Sequence, residues 1–468
     1  MSIKKSDKIS TFALVLLITG AIDSIRNLPT MSLFGTELPF FFILAALFFL
    51  IPVALISAEL SAAWVEEEAG IFHWLDIAFG ETFAFAGIWL QWINTLVWYP
   101  TALSFIAGTA AYLINPTLAN NKTYLISMII CTFWVMTLIN FKGLKTSARF
   151  ASVCALIGMI LPMAIIIGLG VYWFASNQPL QLHFSVNNML PNFSSSSSWV
   201  SLTAIMTSFL GMELAAVHVQ SVNNPQRNFP RAIFFSVLII LITMIGGSLS
   251  IAIVLPQSNI HLVDGVMQTF EYFFHNYHAD FLLPIIIVLL LIGSLGNMVN
   301  WIISPAKGLL MASKHGFLPE WLTVVNEKNV PYRILLLQAV FVTILGSAFL
   351  ALPNVNSIYW LFTDLSTELY ILMYALMFIA AIKLKAKFPK HHRPFKVPFG
   401  KIGYYTTCAL GLIGCLITLI IGFFPPEDHI QMTGSDYRLM FSKGIIAMIV
   451  PAVLLYFYKQ MSLNNKVD

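Results

Sequence analysis

The chain has 468 residues, of which 58% are hydrophobic and only 10% charged, with a mean hydropathy of +0.81. Soluble domains run near roughly 45–50% apolar and about 25% charged, so a string of soluble domains is excluded and lipid is the expected solvent. A net charge of +4, with the basic residues scattered over many segments, excludes nucleic acid as a partner.

The N-terminal MSIKKSDKIS has the charged start of a signal sequence but no small-residue cleavage site after the apolar run, which predicts a retained first helix. A hydrocarbon core of about 30 Å takes roughly 20 apolar residues per helix. Six spans are predicted near 11–34, 39–60, 82–114, 123–141, 149–175 and 199–222, and six more near 232–255, 280–312, 332–352, 357–382, 401–424 and 441–459. One all-α membrane domain over 1–468, with both termini on the same side, is therefore expected. With those termini cytoplasmic, 21 of the 25 Lys and Arg residues fall on the inner side, as the positive-inside rule requires.

Between the spans, VEEEAGIFHWLDIAFGE (65–81) reads as a short amphipathic surface helix. The loop at 383–401 carries most of the inner charge, either as a plain topology signal or to rest on anionic lipid headgroups. The serine run Ser194 to Ser198 is expected as an external linker capping span 6. Cys131, Cys154, Cys408 and Cys415 lie in apolar stretches with no Cys/His cluster to hold a metal, and are expected as free, buried thiols.

Ionisable groups inside a span cost on the order of 2.5–3.5 kcal/mol each on insertion scales, so the exceptions carry information. Span 1 is interrupted at Thr19-Gly20-Ala21-Ile22-Asp23-Ser24-Ile25-Arg26-Asn27-Leu28-Pro29, which predicts an unwound segment. Asp23 and Arg26, three residues apart, form either a neutralising pair or direct solute ligands. Span 6 is interrupted at Ser208-Phe209-Leu210-Gly211-Met212-Glu213, with His218 further along. Interruptions five spans apart point to an inverted repeat of five plus five helices, residues 11–175 and 199–382, with 401–459 as two added helices. Unwound backbone presents N–H groups at one half-helix end and carbonyls at the other, which suits a zwitterion held at the midplane.

Other polar groups inside spans are Glu59, expected to cap or to pair with a loop base, and Asn94, Asn297 and Asn300, read as interhelical glue or as solute ligands. Asp364 and Glu368, one turn apart on span 10, form a gate, a proton site or a structural pair. Trp98, Tyr99, Phe209 and Trp360 are candidate aromatic lids.

GMELAAVHVQSVNNPQRNFPRA (211–232) resembles the amino acid, polyamine and organocation transporter superfamily, with Asn224, Pro225, Arg227, Phe229 and Pro230 matching its Asn-Pro-x-Arg-x-(Phe/Tyr)-Pro loop. EEEAGIFHW (66–74), DGVMQTF (264–270) and SPAKGLLMASKHGFLP (304–319) extend the likeness over almost the whole chain, nearest to the glutamate/GABA antiporter branch. The resemblance implies a twelve-helix inverted repeat, alternating access, no cofactor, and a substrate that is an amino acid or its decarboxylation product. It also implies that backbone at Gly20 to Ser24 and Phe209 to Glu213 lines the site, with Glu213 as a gate. The chain departs from that pattern in lacking a Gly-x-Gly turn in span 1, a lysine in span 5 and a long tail after span 12.

The reading is a secondary amino-acid transporter of the inner membrane, expected to be an exchanger of glutamate/GABA-like or neutral amino acids, with lipid around it and its oligomeric state open. A proton-coupled symporter and a transporter-derived sensor are the alternatives. No continuous polar face suggests a channel, and no converging carboxylates or histidines suggest an enzyme. Thr19, Gly20, Ala21, Asp23, Ser24, Arg26, Asn94, Trp98, Phe209, Gly211, Met212, Asn297 and Asn300 are the candidate solute-binding residues, and Glu213, Asp364 and Glu368 the candidate gating or proton residues.

Overall fold

The computed structural model describes residues 10–64, 70–143, 154, 156–182, 184–185, 189–191, 196–213, 224–350, 355–425 and 432–464. Among them every regular element is helical. The helices are α1 (Thr11–Ile22), α2 (Leu28–Ser32), α3 (Gly35–Ala63), α4 (Ile71–Phe79), α5 (Glu81–Ala111), α6 (Lys122–Phe141), α7 (Leu156–Ala175) and α8 (Ser196–Ser208). They continue with α9 (Pro225–Ala252), α10 (Gly265–Asn276), α11 (Leu283–Lys314), α12 (Tyr332–Ser347), α13 (Val355–Lys387), α14 (Gly400–Ile421) and α15 (Gly434–Asn464).

Among the described residues nine helices are long and apolar enough to cross a membrane: α3, α6, α7, α9 and α11 to α15. The remaining three predicted spans are the broken α1–α2, the broken α8, and α5. At 31 residues α5 has the length, but it carries polar residues such as Gln91, Asn94 and Thr101. It is buried along most of its surface, and a helix wrapped by protein does not need the hydropathy that lipid demands. This protein is a multi-pass helical membrane protein.

Helix contacts recur in exchanged pairs. Span 1 (α1) packs on span 7 (α9) and span 6 (α8) on span 2 (α3); span 3 (α5) packs on span 10 (α13) and span 8 (α11) on span 5 (α7). Spans 3 and 9 meet, as do 8 and 4, while 3 with 8 and 4 with 9 pair directly. Exchanging each helix for the one five spans away maps this set onto itself, the arrangement that a five-plus-five repeat produces. At the 5/8 crossing, a Cβ on Gly158 would sit 2.2 Å from the Gly293 Cα, so this glycine pair sets the close approach of α7 to α11.

Several expectations need correction. Span 7 starts at Pro225 and not near 232: Asn224 takes a left-handed φ of 46° and Pro225 sits in the first turn, so the Asn-Pro loop is the helix start itself. Helix α10, unassigned from the sequence, is a short amphipathic element packed on α2 and α11, with Gly265 against Pro29. Helix α4 is the expected short amphipathic helix, yet its face of Ile71, Phe72, Trp74 and Leu75 packs on α5 and α13, so protein covers what was assigned to the membrane surface. Cys131 is exposed, whereas Cys154, Cys408 and Cys415 are buried thiols. Ser194 and Ser195 lie outside the described residues, and α8 begins at Ser196.

Glu59 pairs with loop bases as expected. Lys385 Nζ lies 2.5 Å and Arg393 Nε 3.2 Å from its Oε1, and the Val397 N–H donates to its Oε2 at 2.7 Å. His391 stacks on Trp64 at 4.9 Å. The 383–401 loop thus uses part of its charge to fasten itself to the end of α3.

Candidate functional site at two broken helices

The first break follows from residues that cannot continue an apolar helix. Helix α1 ends at Ile22, and the Asp23 N–H still reaches the Thr19 carbonyl at 2.8 Å. Ser24 is extended (φ −149°, ψ 113°), and the chain resumes as one 3₁₀ turn, Ile25–Asn27, before α2 with Pro29 in its first turn. A Cβ on Gly20 would meet nothing within 4 Å, so open space adjoins the break. The second break follows Ser208: Phe209, Leu210 and Gly211 form a turn, Gly211 has a φ of +96° that favours glycine, and Met212 and Glu213 are helical again. Residues 214–223, including His218, lie outside the described residues. The breaks touch, because Asn27 Nδ2 donates to Ser208 Oγ at 3.3 Å and that hydroxyl lies 3.4 Å from Met31 Sδ.

The charges at the first break diverge. Asp23 accepts a hydrogen bond from Thr243 of α9 at 2.8 Å, and its second carboxyl oxygen is buried with no partner among the described residues. Arg26 turns the other way, donating to Thr101 of α5 at 3.0 Å with its guanidinium 5.1 Å over the Trp98 ring. Trp98 packs against Trp301 at 5.4 Å. Of the two roles open for Asp23 and Arg26, the neutralising pair is not the one formed. Residues three apart share a face only on a continuous helix, and the extended Ser24 interrupts it.

At the second break Glu213 is held on all sides. The hydroxyls of Tyr370 and Tyr374, one turn apart on α13, donate to its two carboxyl oxygens, and Gln91 of α5 donates to Oε1 at 3.3 Å. The Tyr374 hydroxyl also accepts the Gly211 N–H at 2.8 Å, so one side chain serves both the unwound backbone and the acid after it. Thr207 and Thr367 close a further link at 2.5 Å between α8 and α13. Three donors fill most of the roughly four acceptor sites of this buried carboxyl group, whereas one left bare would cost several kcal/mol.

The other candidates divide. Thr19 is buried with no partner for its hydroxyl among the described residues, Phe209 packs edge-on against Phe42 at 5.9 Å, and Met212 is buried. Asn94 accepts from Ser366 of α13 at 3.2 Å and donates to the Gln91 carbonyl at 2.7 Å, so its amide joins helices. The side chains of Ala21, Asn297 and Asn300 lie outside the described residues. Tyr99 donates to the Trp301 carbonyl at 2.7 Å and Trp360 packs edge-on against Phe34 at 6.1 Å. Asp364 and Glu368 do not join Glu213: at about 100° per residue they point roughly 80–160° around α13 from Ser366, Tyr370 and Tyr374. Tyr370, Tyr374, Gln91, Thr101 and Thr243 were not singled out from the sequence. The tyrosine pair at i, i+4 in a helix that also carries acids was the available signal.

The two helix breaks bring together unwound backbone, a cation with no carboxylate beside it among the described residues, and an enclosed acid. An amino acid permease family model matches residues 9–452. The chain belongs to that family. An uncharacterised transporter of Legionella pneumophila is 41% identical over 420 residues, 90% of each chain. A glutamate/gamma-aminobutyrate antiporter of Lactococcus lactis is 28% identical over 452 residues, 96% of this chain and 89% of that one. A probable agmatine/putrescine antiporter of the same species is 24% identical over 447 residues, 95% and 93% of the two chains. This permease therefore shares nearly its full length with transporters named for amino acids and for amines.

Proposed function

We propose that this permease is an amino-acid exchanger of the inner membrane that works by alternating access, with glutamate/GABA-like solutes preferred over neutral ones. The observation that carries the substrate class is the divergence of Asp23 and Arg26. The guanidinium at the first break has a hydroxyl and an aromatic face as neighbours but no carboxylate among the described residues, leaving a positive charge to complement an acidic solute. The unwound backbone at Gly20 to Ser24 and Phe209 to Glu213 would take the α-amino and α-carboxyl groups. Residues 11–175 and 199–382 act as two five-helix repeats that rock about this site, and 401–459 as an added pair. Both termini face the cytoplasm. Glu213, clamped to α13 through Tyr370 and Tyr374, ties the second break to whichever state that helix occupies.

The test is counterflow into proteoliposomes preloaded with unlabelled glutamate, GABA, glutamine or a neutral amino acid, with and without a pH gradient. Exchange predicts entry of label only into loaded vesicles, with glutamate or GABA most effective. Entry into empty vesicles driven by the pH gradient would replace exchange with proton symport. Binding without flux would make the protein a sensor.

A further inference from the structure

Asp364 and Glu368 remain outside the site just described. They sit one turn apart near the middle of α13, so their Cβ atoms lie about 5–6 Å apart. Both are buried, Glu368 at 0% exposure. Tyr437 of α15 donates to one Asp364 oxygen; among the described residues the other Asp364 oxygen and both Glu368 oxygens have no partner. The recess around Glu368 is shaped by a glycine of the turn that closes α14. A Cβ on Gly422 would lie 2.0 Å from Glu368 Oε1 and 2.7 Å from its Cδ, so the carboxyl occupies the volume that glycine leaves. Among the described residues the other titratable groups facing the pair are Cys415 of α14 and Tyr437 of α15. Among the described residues no Lys, Arg or His lies within ion-pair distance.

Two ionised carboxylates at this spacing, without a cation or enough donors, would each carry a desolvation cost of several kcal/mol in addition to their repulsion. Adding one proton removes a charge and creates a donor that the neighbouring carboxylate accepts. A hard metal ion fits less well, since such ions take about six or more oxygens and the described residues of this recess offer three free carboxyl oxygens and a phenol. We propose that Asp364 and Glu368 form a proton-binding site at the junction of α13 with α14 and α15, separate from the solute site. The proton is shared within the pair, with Tyr437 orienting Asp364 and Gly422 closing the recess over Glu368. The proposal does not rest on which solute the protein carries. Its link to transport is mechanical: the same helix carries Tyr370 and Tyr374, which grip Glu213 beside the second break.

Infrared spectroscopy of the full chain in liposomes, titrated with acid and base, tests the site directly, with thermal melting of each variant confirming the fold. The wild type is expected to show a buried protonated-carboxyl C=O stretch at neutral pH, and that band is expected to be lost in Glu368→Gln and in Asp364→Asn/Glu368→Gln. Gly422→Ala, which leaves both acids in place, is expected to shift the band as the recess fills. Identical spectra in wild type and both carboxamide variants would overturn the site, and an unshifted band in Gly422→Ala would overturn the placement of Glu368. Loss of the wild-type band on adding sodium or potassium at fixed pH would replace the proton with a metal ion. Counterflow in the same vesicles reports separately on the transport reading: its absence in the wild type would count against exchange and leave the infrared result standing.

Discussion

The two faces of α13 handle buried acids in opposite ways. On one face Tyr370 and Tyr374 supply hydroxyls to Glu213, which reaches them from the second helix break, and Gln91 adds a third donor. On the other face, among the described residues, Glu368 has no donor and Asp364 has one. Donors from two helices fix the geometry of Glu213, whereas an undonated pair keeps its place by holding a proton. At its end the same helix shows a third solution, where Lys385 reaches Glu59 in company with Arg393.

The largest expected effect breaks the first face at its source. Gly211→Val forces a β-branched residue into a left-handed backbone and displaces the N–H that Tyr374 accepts; counterflow is expected to vanish while membrane insertion persists, and normal uptake would sink the broken-helix assignment. Next is Glu59→Ala, which strands two cations, one of them buried, and is expected to cost about 3–5 kcal/mol, read as a fall in melting temperature in detergent. Tyr374→Phe removes a donor from buried Glu213 and is expected to cost about 1.5–3 kcal/mol together with most of the transport rate. Its mirror on the other face, Glu368→Leu, should be neutral or slightly stabilising by the same melting measurement, because an apolar side chain replaces an undonated acid. A large destabilisation there would erase the contrast between the faces.

The smallest effect concerns His261, outside the spans, whose imidazole is pushed above its ordinary value by the hydrogen bond with Asp264 at 3.1 Å. A raised folded-state value means that this bond adds stability below about pH 6.5, the ordinary imidazole value, and loses it as pH rises through the folded value. Half-exposed and solvent-screened, it should move the wild-type melting temperature only slightly more with pH than that of His261→Gln.

Much of the frame was legible because it depends on local composition. Gly20, Asp23 and Pro29 stand out in an apolar run, and Gly211 and Glu213 do so in another, so both breaks appear at the expected positions. Glu59 near a helix end beside a basic loop was equally readable. The role of Asp23 and Arg26 was not, since nearness in sequence suggests a shared helix face and the extended Ser24 removes it. Tyr370 and Tyr374 resembled the ordinary aromatic residues of a membrane helix until the fold brought them to an acid 157 and 161 residues away.

The sequence by itself determined that this protein is helical and membrane-embedded, where it spans, and where two of its helices must open, because hydropathy and backbone propensity are properties of windows about 20 residues long. Only the tertiary structure decided which acid is caged and, among the described residues, which acids lack donors and which cation has no carboxylate beside it. A buried charge depends on partners from other helices, and those neighbours are set by packing across the whole chain.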